Sequence, residues 1–441
     1  MIYSLIHRLW DLKEGGLRYR TLQQLNAFAY AKPCDQVAQQ QKQLRILFEA
    51  AQHTPYYQTI IAREKIDLTN PNPLQILSQF PILTKTDIRN NNTHLINPKM
   101  NKKHHRFAKT GGSTGVSLSL VFDQDCQKKR NGAQMFADSF AHWQPGEMVA
   151  AVWGNPPAPK GLKQKLRRSL LERVIYLDTM ALNVDSVKKF VEQWRSHQPT
   201  ILFGHAHSLY LLAQLLREMN IFNLSPKGIV STSMMLLQHE REFIEQIFNC
   251  KVTNRYGCEE VGLIAVECEQ HQGMHLNAGH LIVECLDDNF QPVPKGQSGK
   301  LVITDLNNLA MPLIRYRIED VGVLSNRECA CGRTLPILEK LEGRVADFLK
   351  KSDGSLVAGV SLVERTLTNI RGIEQLQLIQ PAINQLIINR VAGPDYSPDT
   401  DHQLTEELKA VFGKDISITI KDTHKIAQES NGKYRFSICK I

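Results

Sequence analysis

Apolar positions recur at helical spacing early in the chain. Leu44, Leu47, Phe48 and Ala51 line one face of residues 39–52, and residues 1–62 read as helical, with a break at Thr54-Pro55-Tyr56-Tyr57. Phe80-Pro81-Ile82-Leu83-Thr84-Lys85-Thr86-Asp87 reads as a turn and a helix start, with Thr84 or Thr86 as the N-cap. From 148 to 330 short apolar runs alternate with amphipathic ones. Residues 148–153, 200–203 and 227–232 predict buried strands, and 187–197, 206–219 and 239–248 predict helices. That alternation predicts an α/β fold: a large N-terminal domain of layered, mostly parallel sheets with helices. Residues 280–285 and 300–304, around the turn at 292–299, predict a small antiparallel β subdomain. The pattern shifts again after Gly343, with a hairpin-like 348–358 and a further α/β alternation. The predicted domains are therefore 1–343 and a small, mobile α+β domain at 344–441.

A chain of 441 residues is too long for one core and suits this division. Its 42% hydrophobic and 22% charged residues are those of a globular protein, and its longest apolar runs fall far short of a membrane span. His7, Arg8, Asp11 and Lys13 interrupt the N-terminus, so no secretory signal is read there, and the cytoplasm is the expected compartment. Nine cysteines are then expected as thiols or ligands rather than disulfides. The net charge of +9 concentrates at 99–106 and 160–173. These stretches are either solvated faces or attractors of an anion, whether a phosphorylated cosubstrate or an acidic membrane. Residues 162–171 are amphipathic, which keeps peripheral membrane contact open.

Candidate chemistry begins at Lys109-Thr110-Gly111-Gly112-Ser113-Thr114-Gly115, followed by the apolar run 116–122. Three glycines with hydroxyls from Thr110, Ser113 and Thr114 can form an anion nest for a phosphate, or an ordinary hairpin loop. No Gly-Lys-Ser/Thr follows and no GxGxxG occurs, which excludes a Walker loop and a dinucleotide fingerprint. Asn254-Arg255-Tyr256-Gly257-Cys258-Glu259-Glu260 follows an expected strand at 250–253. There an aromatic ring can stack, a glycine permits approach, and Glu260 can reach a metal on phosphates. Asp320, after the apolar run 311–318, can accept from ribose hydroxyls. Arg344 lies on a glycine turn and Lys433 in Asn431-Gly432-Lys433-Tyr434-Arg435. Taken singly, these residues also fit surface ion pairs, a solvated turn and a core ring. Cys258 offers either a nucleophile or a small core residue, and Trp143 and Phe140 read as core.

A separate constellation joins Cys268 and His275 to Cys329 and Cys331 in Cys-Ala-Cys-Gly. Three thiolates and an imidazole make a closed, structural Zn²⁺ site, with Gly273 and Gly332 suited to the ligand turns. His271 competes with His275 for the fourth place. Nucleic-acid binding is not expected, because interleaved aromatics and a basic helix are missing. His205, in Gly204-His205-Ala206-His207, falls at a strand end where ligands gather in α/β sheets.

In order, the TGGSTG, NRYGCEE, PLIRYRIED, GRVAD and NGKYR stretches resemble the adenylate-forming (AMP-binding) superfamily, and most closely its phenylacetate–CoA ligase branch with its CapK relatives. The resemblance spans nearly the whole chain, and Phe80 to Asp87 with Met311 to Arg317 are its specific parts. It implies an acid–thiol ligase that forms an acyl-AMP from a carboxylic acid and ATP, then passes the acyl group to CoA. An amide-forming or CapK-like enzyme acting on a polysaccharide precursor, and a non-catalytic nucleotide-binding relative, are the alternatives. Thr110, Gly111, Gly112, Ser113, Thr114 and Gly115 would hold the phosphates, with Thr114 catalytic. Tyr256 and Gly257 would lie near adenine, Glu260 would ligate Mg²⁺, and Asp320 and Arg344 would bind ribose or phosphate. Lys433 would bridge the carboxylate and the α-phosphate. His205 and Ser233 would line the acid pocket, and a homodimer is common in the branch. Gly111, Met234, Glu259, Glu319 and Ala346 depart from the pattern and leave the acid and the second half-reaction open.

Overall fold

Proline and threonine set the N-terminal helices. α1 (Ile2–Lys13) and α2 (Leu17–Phe28) follow one another across a short turn, and Pro33 opens α3 (Pro33–Ala51). The Thr54 break lasts three residues: its hydroxyl accepts from the Tyr57 amide at 3.3 Å, and Pro55 starts α4 (Pro55–Glu64). α5 (Pro73–Gln79) follows. Thr84 caps α6 (Lys85–Asn90) in a reciprocal box, its hydroxyl accepting from the Asp87 amide at 3.2 Å while Asp87 accepts from the Thr84 amide at 2.9 Å. The computed structural model describes residues 2–109, 118–153, 161–178, 183–233, 235–325, 327–344, 348–353, 356–358, 362–363, 366–367, 369–393, 395–426, 435 and 437–441.

β1 (His105–Lys109) and β2 (Ser119–Asp123) pair as an antiparallel ribbon that leads into α7 (Gln124–Ser139). Next come β3 (Val149–Trp153), α8 (Leu162–Arg167) and a π-helical turn, Arg168–Glu172. β4 (Val174–Asp178), α9 (Val184–His197), β5 (Ile201–His205), α10 (Ala206–Glu218), β6 (Gly228–Thr232), α11 (Gln238–Phe248) and β7 (Val252–Cys258) complete the alternation. The predicted strands and helices of this stretch are present within a few residues of their expected ends.

β8 (Gly262–Glu267), β9 (Met274–Leu276), β10 (Leu281–Leu286), β11 (Ser298–Asp305), β12 (Tyr316–Ser325) and β13 (Ile337–Arg344) are antiparallel. They do not stand apart as a subdomain. Together with the parallel strands they build one eleven-stranded sheet in the order β10-β11-β12-β13-β9-β8-β7-β6-β5-β3-β4. The reason is the hairpin at 258–262. It reverses the chain after β7, so the parallel half passes into the antiparallel half without a break. α9, α10 and α11 bury Phe190, Trp194, Leu209, Leu212 and Phe248 against the parallel half.

The C-terminal part has its own sheet, β18-β17-β16-β19, from β16 (Ile373–Ala382), β17 (Gln385–Ala392), β18 (Ser417–Asp422) and β19 (Ser437–Cys439). The hairpin of β14 (Phe348–Lys350) and β15 (Leu356–Ala358) precedes it, and α12 (Pro398–Phe412) packs Leu404 and Leu408 on Leu376, Leu386 and Ile388. Leu237, 1% exposed and just before α11, comes from the large part yet is buried in this core, and half-buried Met235 packs against it. Beside it, His207 Nδ1 lies 2.9 Å from Glu240 Oε1, and Gln375 Nε2 lies 3.3 Å from His207 Nε2. The tautomer protonated at Nδ1 satisfies both contacts.

Candidate active site

The NRYGC motif does not follow a strand; it is the strand. Asn254 to Cys258 lie inside β7, and Glu259 and Glu260 form the turn into β8. Gly257 has a structural reason to be glycine, since a Cβ there would stand 2.5 Å from the Gly262 carbonyl oxygen across the hairpin. Asp320 likewise sits within β12 rather than after a strand, because the apolar residues 311–314 are buried as an irregular segment. Arg344 ends β13 and is paired with Asp320 in register, not placed on a turn; its side chain lies outside the described residues. Thr110 to Gly115, Met234, Ala346 and Lys433 also lie outside them.

Three strands separate β7 from β12 in the sheet, yet the Tyr256 hydroxyl donates to Asp320 Oδ2 at 2.6 Å. Asp320 is buried, at 6% exposure, so a strong, charge-assisted hydrogen bond fixes the ring across the gap. The Tyr316 hydroxyl donates to Glu260 Oε1 at 3.0 Å. Burial, then the charge of Glu260, push the Tyr316 phenol well above its ordinary pKa, so it remains a donor. No Lys, Arg or His forms an ion pair with Glu260 among the described residues, although its carboxylate is buried. A buried carboxylate that no described side chain pairs as an ion suits a bound divalent cation.

The Glu259–Glu260 turn is held from behind by Arg130 of α7. Its guanidinium donates to the Glu260 carbonyl at 2.6 Å, the Glu259 carbonyl at 3.0 Å and Asp305 Oδ2 at 2.9 Å, and lies 3.9 Å from the Phe122 ring centre. Sequence reasoning missed Arg130, Asp305 and Tyr316. Within Lys128-Lys129-Arg130 the arginine resembles a solvated charge, and Tyr316 lay in a motif singled out for its carboxylate. Burial, and next Glu260, hold the Cys258 thiol well above its usual pKa, and its half-buried side chain packs against the large core.

His205 and Ser233 are both at the carboxyl ends of parallel strands, β5 and β6. His205 is buried with its ring centroid 4.0 Å from that of Trp153, which stacks on Phe203. Ser233 is exposed, with a left-handed φ of 66°. Phe140 is core and Trp143 half-buried.

The motifs around Pro55, Leu83 and Leu313 form a knot. The Tyr57 hydroxyl donates to the Pro312 carbonyl and accepts from the Ile314 amide, both at 3.1 Å. The Leu83 amide donates to the Arg315 carbonyl at 3.0 Å, and the Arg317 amide to the Leu83 carbonyl at 2.9 Å. Arg315, at φ 49°, is bidentate to Glu284 and bonds the Ser78 and Phe80 carbonyls. This scaffold leads directly into β12, which carries Tyr316 and Asp320.

The Cys/His quartet forms a separate site. The ligand atoms of Cys268, His275, Cys329 and Cys331 all lie within 4.8 Å of one another. Cys268 and Cys329 sulfurs are 3.6 Å apart, and Cys331 Sγ is 3.3 Å from His275 Nε2. A disulfide is excluded by that separation, whereas Zn–S bonds of about 2.3 Å at a tetrahedral angle imply about 3.8 Å between sulfurs. His275 Nδ1 lies 3.4 Å from the Leu335 carbonyl, which leaves Nε2 for the cluster. His271 is not part of it; its Nδ1 is 3.5 Å from Glu267 Oε2.

The CapK C-terminal domain family matches residues 349–440. Protein CapK of Staphylococcus aureus is 26% identical over 404 residues, covering 88% of this chain and 86% of its own. The phenylacetate–coenzyme A ligase of Thermus thermophilus is 24% identical over 323 residues, 70% of each chain. CapK and the phenylacetate–coenzyme A ligases are thus similar to this chain over most of its length. Among solved structures, the chain is similar to 2-hydroxyisobutyryl-CoA ligase in the postadenylation state with 2-HIB-AMP. That match has a TM-score of 0.76 at 17% identity and covers 93% and 91% of the two chains. The same ligase in the thioesterification state, with equal coverage, gives 0.60. The fold is that of the adenylate-forming ligases. Among the described residues no helix is long and apolar enough to cross a membrane.

Proposed function

We propose that this protein activates a carboxylic acid with ATP as an acyl-adenylate and transfers the acyl group to CoA. The observation that carries the reading is the pair of hydrogen bonds that link β7 and the turn after it to β12: Tyr256 to buried Asp320, and buried Tyr316 to Glu260. Asp320 would accept from the ribose hydroxyls, with Tyr256 locked beside it as the wall for adenine. Arg130 and Tyr316 orient Glu260, which would hold Mg²⁺; the ion would neutralise charge on the phosphates. The loop Thr110 to Gly115 would cradle those phosphates. Lys433, from the 344–441 domain, would meet the carboxylate as it approaches the α-phosphorus, where two anions are brought together. His205 and Ser233 stand at the strand ends where the acid would enter.

The test is ATP–pyrophosphate exchange across aryl, fatty, uronic and amino acids without an acceptor, followed by addition of CoA. Exchange with one class of acid, and a thioester only when CoA is present, is the expected result. No exchange with any acid while ATP binds would refute adenylation. The match of the C-terminal part to the CapK family favours a second reading, in which an amine takes the acyl group. An amide formed at equal rate with and without CoA would decide for it. The Cys/His quartet we assign to one structural Zn²⁺, which would pin the β9–β13 pairing to the turn after β8.

A further inference from the structure

α1 is an amphipathic helix mounted with its polar face inward. Asp11 is buried and accepts from Arg18 Nη1 and the Tyr19 amide, each at 3.1 Å. His7 Nδ1 meets the Tyr19 hydroxyl at 3.1 Å, the Arg18 guanidinium lies 4.2 Å from the Trp10 ring centre, and Arg173 lies 3.7 Å from that of Tyr3. These contacts leave Ile2, Leu5, Leu9 and Leu12 facing solvent, at 67%, 57%, 56% and 62% exposure. At about 100° per residue the four fall within one stripe about 80° wide. Exposed Arg8 borders it on one side and exposed Lys13 on the other. The acids of this segment point away from the stripe, since Asp11 and Glu14 both bond Arg18.

The neighbouring segment repeats the chemistry. α8 exposes Leu162 at 85% and Leu166 at 62%, and its last residue, Arg167, reaches to 5.5 Å from the Trp10 ring centre. Beside the stripe a cleft of about 390 Å³ is lined by Leu5, Arg8, Gln144 and Arg173. Leucines with guanidinium groups at their border match an acyl chain below a phosphate headgroup.

We propose that α1, with α8 beside it, docks this protein on anionic phospholipid, with the leucine stripe in the acyl boundary and Arg8 and Lys13 at the headgroups. A second copy is the weaker occupant, because an isologous pairing would bring Arg8 and Lys13 of each chain against their equivalents. The inference is independent of the acid that the enzyme activates.

The test is flotation of the full chain with vesicles of phosphatidylcholine alone or mixed with phosphatidylglycerol, alongside sedimentation velocity. Wild type is expected to float with the anionic vesicles only. Leu5→Ser with Leu9→Ser should lower that binding by at least about tenfold. Arg8→Glu with Lys13→Glu, all exposed positions, should do the same without depending on the leucines being replaceable, with circular dichroism unchanged. Three results would overturn the proposal. They are absence of wild-type binding, binding indifferent to both pairs, and a dimer that dissociates in the serine variant while vesicles are ignored.

Discussion

Arg130→Met tests whether the candidate metal carboxylate is positioned from behind. The substitution keeps most of the side-chain volume but removes every donor from a buried place. It leaves the Glu259 and Glu260 carbonyls without their guanidinium, and it leaves the Asp305 carboxylate, with its side chain 2% exposed, short of its cation. Breaking one partner of a buried pair costs roughly 3–5 kcal/mol, chiefly from the charge left behind. The contact over Phe122 adds about 1 kcal/mol. A loss of about 5 kcal/mol in the unfolding free energy of the large domain is therefore expected, read by urea titration with circular dichroism. Asp305→Asn on the same background removes the orphaned charge and should recover roughly half of it, giving a non-additive cycle. In ATP–pyrophosphate exchange the single variant should fall far more in turnover than in ATP binding, because the turn carrying Glu260 has lost its anchor. A loss under about 1 kcal/mol with strict additivity would refute this account of the node.

Other outcomes follow from particular groups. Burial, helped by Lys129 and Arg130, lowers the His280 pKa to about 3, so the folded state refuses a proton that the unfolded chain accepts near its ordinary 6.5. Stability from this source is complete above about pH 6.5 and falls as pH drops toward 3, by about 2–3 kcal/mol at about pH 4.5. His280→Leu should flatten that slope in urea midpoints measured across the range. Protein purified without added zinc should carry about one equivalent by atomic emission, and Cys268→Ser with Cys331→Ser should carry under about a tenth of that. Tyr256→Phe should weaken ATP binding about tenfold by calorimetry and lower stability by about 1–3 kcal/mol, since it keeps the ring but takes a donor from buried Asp320. Lys433→Ala should abolish exchange and preserve ATP binding; unchanged turnover would remove it from the mechanism.

The sequence made the parallel half of the sheet legible because each buried strand is a short β-branched run between helices whose apolar spacing is unambiguous. A threonine cap at 84 or 86 was also legible, as its chemistry is local, and Thr84 is the one that caps. The Cys/His quartet was readable from spacing, with His275 preferred to His271 because a strand was expected to begin beside it, and the four ligand atoms do gather. What escaped was long-range. Nothing near Arg130 in the chain shows that Asp305 and the turn after Cys258 will close around it. Gly257 was read as room for a ligand, while a chain-reversing hairpin two strands wide explains it. Tyr256 and Asp320 were singled out separately, yet their direct bond depends on how a mixed sheet curls across three intervening strands.

Leu237 behaves as a cork. It is rooted in the large part of the molecule but seated in the hydrophobic interior of the C-terminal sheet, with Gln375 stoppering His207 beside it. A swing of that sheet to a second docking position would pull the cork, exposing a leucine worth roughly 2 kcal/mol of burial and uncapping the imidazole. The described arrangement is thus the sealed one, and Leu237 contributes to the threshold for leaving it, alongside Met235 and the Gln214–Glu374 contact. Trimming Leu237 to alanine would leave the chemistry untouched while loosening the seal. The timing of the reaction's second half would then answer to a position far removed from any reacting atom.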